Sequence, residues 1–236
     1  MAHTDAVTVL LPAFEEAERI VEVLRAVAQA VPGAQLVVVD DGSRDATAEV
    51  SRRAGARVLR HPFNLGYGAA LQTGYKDALA RGAMWLVQMD ADGQHDAADL
   101  EALLRPLRED RCDLVIGSRF VAPSDYEMGA LRRTGRRLFE LLGRLSGLEV
   151  SDPTSGFQAM NRRVLALYGE DFFPADYPDI DVLVMARRRG IRILEVPVSM
   201  RASPRRSTLH GGLRVPYYAY KMLLSWWAAV GRRRRP

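Results

Sequence analysis

Trp85-Leu86-Val87-Gln88-Met89-Asp90-Ala91-Asp92-Gly93-Gln94-His95 runs from a short apolar stretch straight into a turn that carries two carboxylates. The apolar half reads as a strand buried on both faces. Residues i and i+2 of an extended segment point the same way, so Asp90 and Asp92 face one ligand together. Acids beyond the carboxyl end of a parallel strand lie where open α/β sheets bind ligands. Hard oxygen ligands of this kind suit Mg²⁺ or Mn²⁺ bridging phosphates. The plain structural alternative is an Asp-rich turn capping a helix at Asp96.

Outward from this turn the same alternation repeats. Val7–Leu11, Leu36–Val39, Arg57–Leu59 and Leu114–Ile116 read as further strands. Helical patterns fall between them at Glu15–Ala30, Asp45–Ala54, Ala69–Ala80 and Asp96–Glu109. Strand and helix alternating at this spacing predict an α/β/α sandwich with a mostly parallel central sheet. Further on, Leu131–Leu145 reads as a helix carrying Arg132 and Arg133, Asn161–Tyr168 and Asp179–Arg189 as helices, and Arg192–Val198 as a strand. Ser199–Gly212 is polar and reads as a loop.

Two boundaries follow: a catalytic domain over 1–212, and an amphipathic helix with a polybasic tail over 213–236. Pro216 and Gly231 suit the start and end of that helix. Its 14 residues reach about 21 Å, too short for a hydrocarbon core of about 30 Å. Paired Trp, three Tyr and Arg232–Arg235 suit a helix lying in the membrane interface, with packing on the domain as the alternative.

The chain has 236 residues, 48% hydrophobic and 26% charged, which excludes a disordered or collagen-like protein. Its single cysteine, Cys112, excludes a disulfide framework and a thiolate metal cluster. Met1–Leu11 lacks a basic region followed by an apolar run, so no secretory signal is expected. From Arg187 onward there are thirteen basic residues and one acid, Glu195; the whole chain is +4, so the preceding part carries −8. A basic end on an acidic body predicts different partners for the two ends.

Three other segments carry candidate chemistry. In Val39-Asp40-Asp41-Gly42-Ser43-Arg44-Asp45, Asp41 is placed to accept from a nucleobase or ribose, while Asp45 reads as a helix cap. In Leu11-Pro12-Ala13-Phe14-Glu15-Glu16, Pro12 reads as the strand end and Phe14 as a stacking surface for a base. Asn64-Leu65-Gly66-Tyr67-Gly68 invites a dinucleotide reading. It lacks the third glycine and follows the wrong strand, so close backbone packing explains it better.

Taken in order, Pro12–Glu16, Asp40–Ser43, Asn64–Gly68, Asp90–His95, Gly117-Ser118-Arg119-Phe120 and Asp152-Pro153-Thr154-Ser155-Gly156-Phe157 resemble the family 2 glycosyltransferases of GT-A fold. Within them the chain is similar to the polyprenyl-phosphate glycosyltransferases, the dolichyl-phosphate mannose synthase-like group. The resemblance implies that Pro12, Ala13, Phe14, Glu16, Val39, Asp41, Asp90, Ala91 and Asp92 hold a GDP- or UDP-sugar. It implies Mg²⁺ or Mn²⁺ at Asp90, Asp92 and Gln94, with Asp90, Asp92 and Arg119 as the catalytic set. Acceptor-phosphate contacts would come from Arg119, Arg132, Arg133, Ser155, Arg205 and Arg206. Arg201–Thr208 departs from the group's usual Arg-x-x-Gly-x-Ser-Lys loop, lacking the glycine and carrying Thr208 at the Lys position.

The expected activity is inverting, metal-dependent transfer of a sugar to a polyprenyl phosphate. The enzyme would be peripheral on the cytoplasmic membrane face, with no nucleic acid as partner. A membrane subunit is an alternative contact for the terminal helix. One competing reading is transfer to a saccharide hydroxyl with Asp179 or Asp181 as base; another is a non-enzymatic binding module, which the intact metal motif disfavours.

Overall fold

β1 (Val7–Ala13) is near-continuously apolar because both its faces are covered. Val7, Val9, Leu11 and Ala13 enter one hydrophobic core and Leu10 the opposite one. The computed structural model describes residues 7–121, 147–176 and 178–200. The expected helix at Leu131–Leu145, the loop beyond Met200 and the C-terminal helix lie outside them.

After β1 come α1 (Ile20–Ala30), β2 (Gln35–Asp40), α2 (Thr47–Arg53), β3 (Arg57–Arg60), α3 (Tyr67–Ala80) and β4 (Trp85–Gln88). A 3₁₀ turn leads into α4 (Leu100–Arg108), then β5 (Leu114–Ser118), β6 (Gln158–Asn161), α5 (Arg162–Tyr168), α6 (Ile180–Arg188) and β7 (Ile193–Pro197). The described strands form one seven-stranded sheet in the order β3-β2-β1-β4-β6-β5-β7. Every pairing is parallel except those of β6, which runs antiparallel to β4 and β5.

The helices cover the sheet through apolar stripes. α1 buries Ile20, Val23, Leu24 and Val27, and α4 buries Leu100, Leu103, Leu104 and Leu107. Both stripes have the three- and four-residue spacing of one helix face. They share a core with Val38, Val87 and Phe157. α3, α5 and α6 cover the opposite face over Leu10, Val37 and Leu86. α3 sits especially close: a Cβ at Gly74 would lie 2.2 Å from Leu10 Cδ1.

Three expectations are corrected. β1 runs past Pro12 to Ala13, because β4 pairs with it only as far as Leu10 and leaves no ladder bond for Pro12 to lose. α1 begins at Ile20 rather than Glu15: Glu15 has φ 57°, and the N–H groups of Glu15, Glu16 and Ala17 are taken by Ser43 Oγ, Thr47 Oγ1 and Asp45 Oδ2. β6 had no expected counterpart. The order of the sheet reverses between β1 and β4, so the edge carrying Phe14 and Asp90 is a topological switch point.

Candidate active site

Among the connections that leave the carboxyl edge of the parallel strands are the loops after β1, β2, β4 and β5. They carry Phe14, Asp41, Asp90 and Arg119. The loop Asp152–Phe157 enters β6 at the same edge.

The loops after β1 and β2 are stitched together. Ser43, Asp45 and Thr47 accept from three successive N–H groups at 15–17, over 2.9 to 3.2 Å. Asp45 also accepts from Thr47 N; it stands one residue before the N-cap of α2 at Ala46, so instead of serving as the cap it bridges the two loops. Asp40 is buried; its Oδ1 accepts from Ser43 N at 3.1 Å and its Oδ2 lies 3.1 Å from Arg60 Nε. Pro12 and Ala13 lie in β1 and Val39 is wholly buried in β2. Phe14 is 42% exposed at the rim, and Glu16 pairs with Arg19.

Asp41 is placed differently from a free ligand-binding acid. Its Oδ1 accepts from Leu65 N at 2.9 Å and meets His61 Nδ1 at 2.7 Å, while its Oδ2 accepts from Gly66 N at 2.9 Å. It therefore fixes the course of 61–66. The glycines of that segment are used for packing, as expected: a Cβ at Gly68 would lie 2.0 Å from Pro174 O. The first N–H groups of α3 are also occupied, since Gly68 and Ala69 donate to Asp176 O and Ala175 O. A dinucleotide phosphate would find these two donors already taken.

The acidic turn holds together as one unit. Asp90 Oδ1 accepts from Tyr67 Oη at 2.9 Å, and Asp90 N donates to His95 Nδ1 at 3.2 Å. His95 is buried and stacks on Phe157 with centroids 4.7 Å apart. Burial, then the neighbouring Asp90 charge, push the Tyr67 phenol well above its ordinary value and keep it a donor. Asp92 accepts from both the backbone N and the side-chain amide of Gln94, and Ala91 is buried behind them. Asp96 caps the following 3₁₀ turn by accepting from Ala98 N.

This donor set fits a divalent cation. Two carboxylates and an amide are too few for an all-protein cage, yet they suit a hard cation that shares its shell with phosphate oxygens. Glycine at 156 lets the neighbouring loop come close to this turn: a Cβ there would lie 3.1 Å from Asp90 Oδ2.

Arg119 is gripped by a residue to which sequence reasoning gave no role. Its Nε and Nη2 donate to Asp152 Oδ2 and Oδ1 at 2.7 and 2.6 Å, and its backbone N donates to Oδ2 as well. Asp152 is buried and is itself seated by Glu195, whose carboxylate accepts from the N–H groups of Ser151 and Asp152. Glu195 was legible only as the lone acid in a basic stretch. Met200 joins the two halves: it bridges to His95, and its Sδ lies 3.8 Å from Arg119 Nη1.

Ser155 is buried and donates to Gly117 O at 2.6 Å, so its hydroxyl ties the loop to β5. Arg132, Arg133, Arg205 and Arg206 lie outside the described residues. Asp181 is buried, its Oδ1 accepts from Asp179 N, and burial pushes its carboxyl up. Asp179 lines a small cavity with Tyr75, Gln88, Gln158 and Tyr168. Burial also pushes the Cys112 thiol up to about 11, which leaves it inert as a nucleophile.

A mostly parallel sheet with acids at its switch point puts a ligand site where open α/β folds bind nucleotides. The chain belongs to glycosyl transferase family 2, whose profile matches residues 8–169. It is 32% identical over 205 residues to the undecaprenyl-phosphate mannosyltransferase of Micrococcus luteus, covering 82% of each chain. It is 30% identical over 208 residues to the polyprenol monophosphomannose synthase of Mycolicibacterium smegmatis, covering 83% of this chain and 77% of that one. Among solved structures, glucosyl-3-phosphoglycerate synthase of Mycobacterium tuberculosis, crystallised with Mn²⁺, UDP and glucosyl-3-phosphoglycerate, superposes with a TM-score of 0.73. At 23% identity over 97% of this chain and 81% of that one, it shares the fold.

Proposed function

We infer that the protein transfers a sugar, with inversion, from a nucleoside-diphosphate sugar to a polyprenyl phosphate at the cytoplasmic face of a membrane. One observation carries this reading. The acidic turn and the clamped Arg119 meet across Met200 at one sheet edge, in a chain resembling enzymes named for polyprenyl phosphates.

Phe14 offers its exposed face to the base of a GDP- or UDP-sugar. Pro12, Ala13, Glu16, Val39 and Asp41 shape the remainder of that pocket, Asp41 by holding 61–66. Asp90, Ala91 and Asp92 face the diphosphate, and Asp90, Asp92 and Gln94 are the residues that would hold Mg²⁺ or Mn²⁺. Bound there, the cation offsets negative charge on the leaving diphosphate.

The acceptor phosphate is already anionic near neutral pH, its second pKa being about 6. It needs orientation more than deprotonation. Arg119, with its inner edge fixed by Asp152, points a planar charge towards such a phosphate. Arg132, Arg133, Arg205 and Arg206 are proposed to complete that anion site, while Ser155 shapes the turn beside it. An acceptor oxygen bonds to the anomeric carbon as the bond to the nucleoside diphosphate breaks, and the electron pair leaves on the diphosphate. Attack opposite the leaving group inverts the centre.

Asp179→Asn and Asp181→Asn test this against a hydroxyl acceptor. Retained kcat in at least one active variant of each position supports the phosphate acceptor. A collapse of kcat with nucleotide binding intact identifies a base and contradicts it. Nucleotide release unresponsive to short-chain polyprenyl phosphate, at any Mg²⁺ or Mn²⁺ concentration, would favour a binding module.

A further inference from the structure

We propose that Tyr67 is the positioning residue for Asp90, holding that carboxylate in the orientation in which it takes a divalent cation. The proposal rests on the metal reading of the acidic turn. Tyr67 opens α3, in a segment whose glycines attract attention first, and its hydroxyl donates to Asp90 Oδ1 at 2.9 Å.

A ligating carboxylate that is itself hydrogen-bonded presents its second oxygen in a fixed direction, and ordering it before binding lowers the cost of binding. Here the anchor is hydrogen-bonded or packed on both sides. α3 cannot slide, because Gly68 N and Ala69 N donate to Asp176 O and Ala175 O, and Gly68 abuts Pro174. The turn is held from its other side by Asp90 N donating to His95 Nδ1.

Gly156 lets the pair meet. A Cβ there would lie 2.9 Å from Tyr67 Oη and 3.1 Å from Asp90 Oδ2. Gly156 is fixed in turn by Gln88 Nε2, which donates to its carbonyl at 3.1 Å, and Gln88 Oε1 accepts from Tyr75 Oη. The contact thus joins α3, the turn after β4 and the loop before β6 at one carboxylate.

The test is Mn²⁺ binding, followed by the paramagnetic resonance signal of free Mn²⁺ with UDP and with GDP present. Tyr67→Phe removes only the hydroxyl and is expected to weaken Mn²⁺ about tenfold or more, as loss of a group supporting a metal ligand does. Gly156→Ala crowds the same two groups and is expected to weaken it similarly. In an Asp90→Asn background Tyr67→Phe is expected to add nothing, since the group it positions is gone. Wild-type affinity in Tyr67→Phe overturns the proposal while leaving the metal site standing. So does an equal loss in the Asp90→Asn background, which would mark a general effect on the fold. Failure of the wild-type protein to bind Mn²⁺ with either nucleotide overturns the metal reading itself.

Discussion

A guanidinium clamped along one edge is fixed in direction as well as in charge. Arg119 is in that position against the buried Asp152. Removing one partner of a buried pair leaves the other charge uncompensated, which typically costs about 3–5 kcal/mol. Asp152→Ala is therefore expected to lower the urea midpoint strongly, and Glu195→Gln less, because the N–H groups of Ser151 and Asp152 keep an acceptor. In the Glu195→Gln enzyme the KM for polyprenyl phosphate is expected to rise while nucleotide affinity holds. An unchanged KM would separate this clamp from the acceptor site. Sequence reading identified Arg119 but passed over Asp152 and Glu195, because the partnership spans 33 residues in one case and depends on strand register in the other.

Elements meet here through small residues and shared loops. Gly68→Ala forces a methyl group against Pro174 O, so α3 must back away from 174–176. Overpacking of this kind costs about 1–3 kcal/mol, and chemical denaturation is expected to register a loss in that range; no loss would mean the contact is soft. α3 is also tied to β3 by Arg57, whose Nε and Nη2 donate to Asp77. The Arg57 hydrogen bonds outweigh burial and hold the Asp77 carboxyl below its ordinary value. Its stabilising effect is then full above the unfolded carboxylate's pKa of about 3.9 and fades as pH falls through the lower folded value. Urea midpoints of wild type and Asp77→Asn should differ at neutral pH and converge in acid; a gap persisting at the lowest pH would contradict the linkage.

The same scale explains what the sequence conceals. The parallel strands announce themselves as apolar runs because both faces are buried. β6, Gln158-Ala159-Met160-Asn161, is four residues long with a polar residue at each end. Gln158 faces Gln88 and Ile116 across the sheet, partners that no local pattern reveals. The start of α1 was hidden similarly, since three side chains of the next loop capture its would-be first N–H groups. The acidic turn was legible because its two carboxylates lie two residues apart in a single segment. Tyr67 was not, because its link to Asp90 crosses 23 residues.

At the scale of the molecule, the part before Arg187 carries −8 and the part from Arg187 onward +12, and the proposal gives the donor to the first and the membrane to the second. No helix among the described residues is long and apolar enough to cross a membrane. Attachment is proposed to rest on 213–236, through the Trp, Tyr and Arg side chains or through a membrane subunit, because the sequence there pairs Trp and Tyr with a run of Arg. Deleting 213–236 is expected to reduce cosedimentation with anionic liposomes, most at low salt, because surface attraction is screened within about 10 Å at 0.1 M salt. Unchanged sedimentation would place the lipid contact elsewhere. The most direct test of the account offers undecaprenyl phosphate and a panel of GDP- and UDP-sugars to the purified protein and identifies the lipid product by mass spectrometry. The account predicts one glycosyl phospholipid, lost on chelation, restored by Mn²⁺ or Mg²⁺, and absent with Asp92→Asn. A folded protein that binds a nucleotide sugar yet glycosylates only saccharide hydroxyls, or works equally well in chelator, would contradict it.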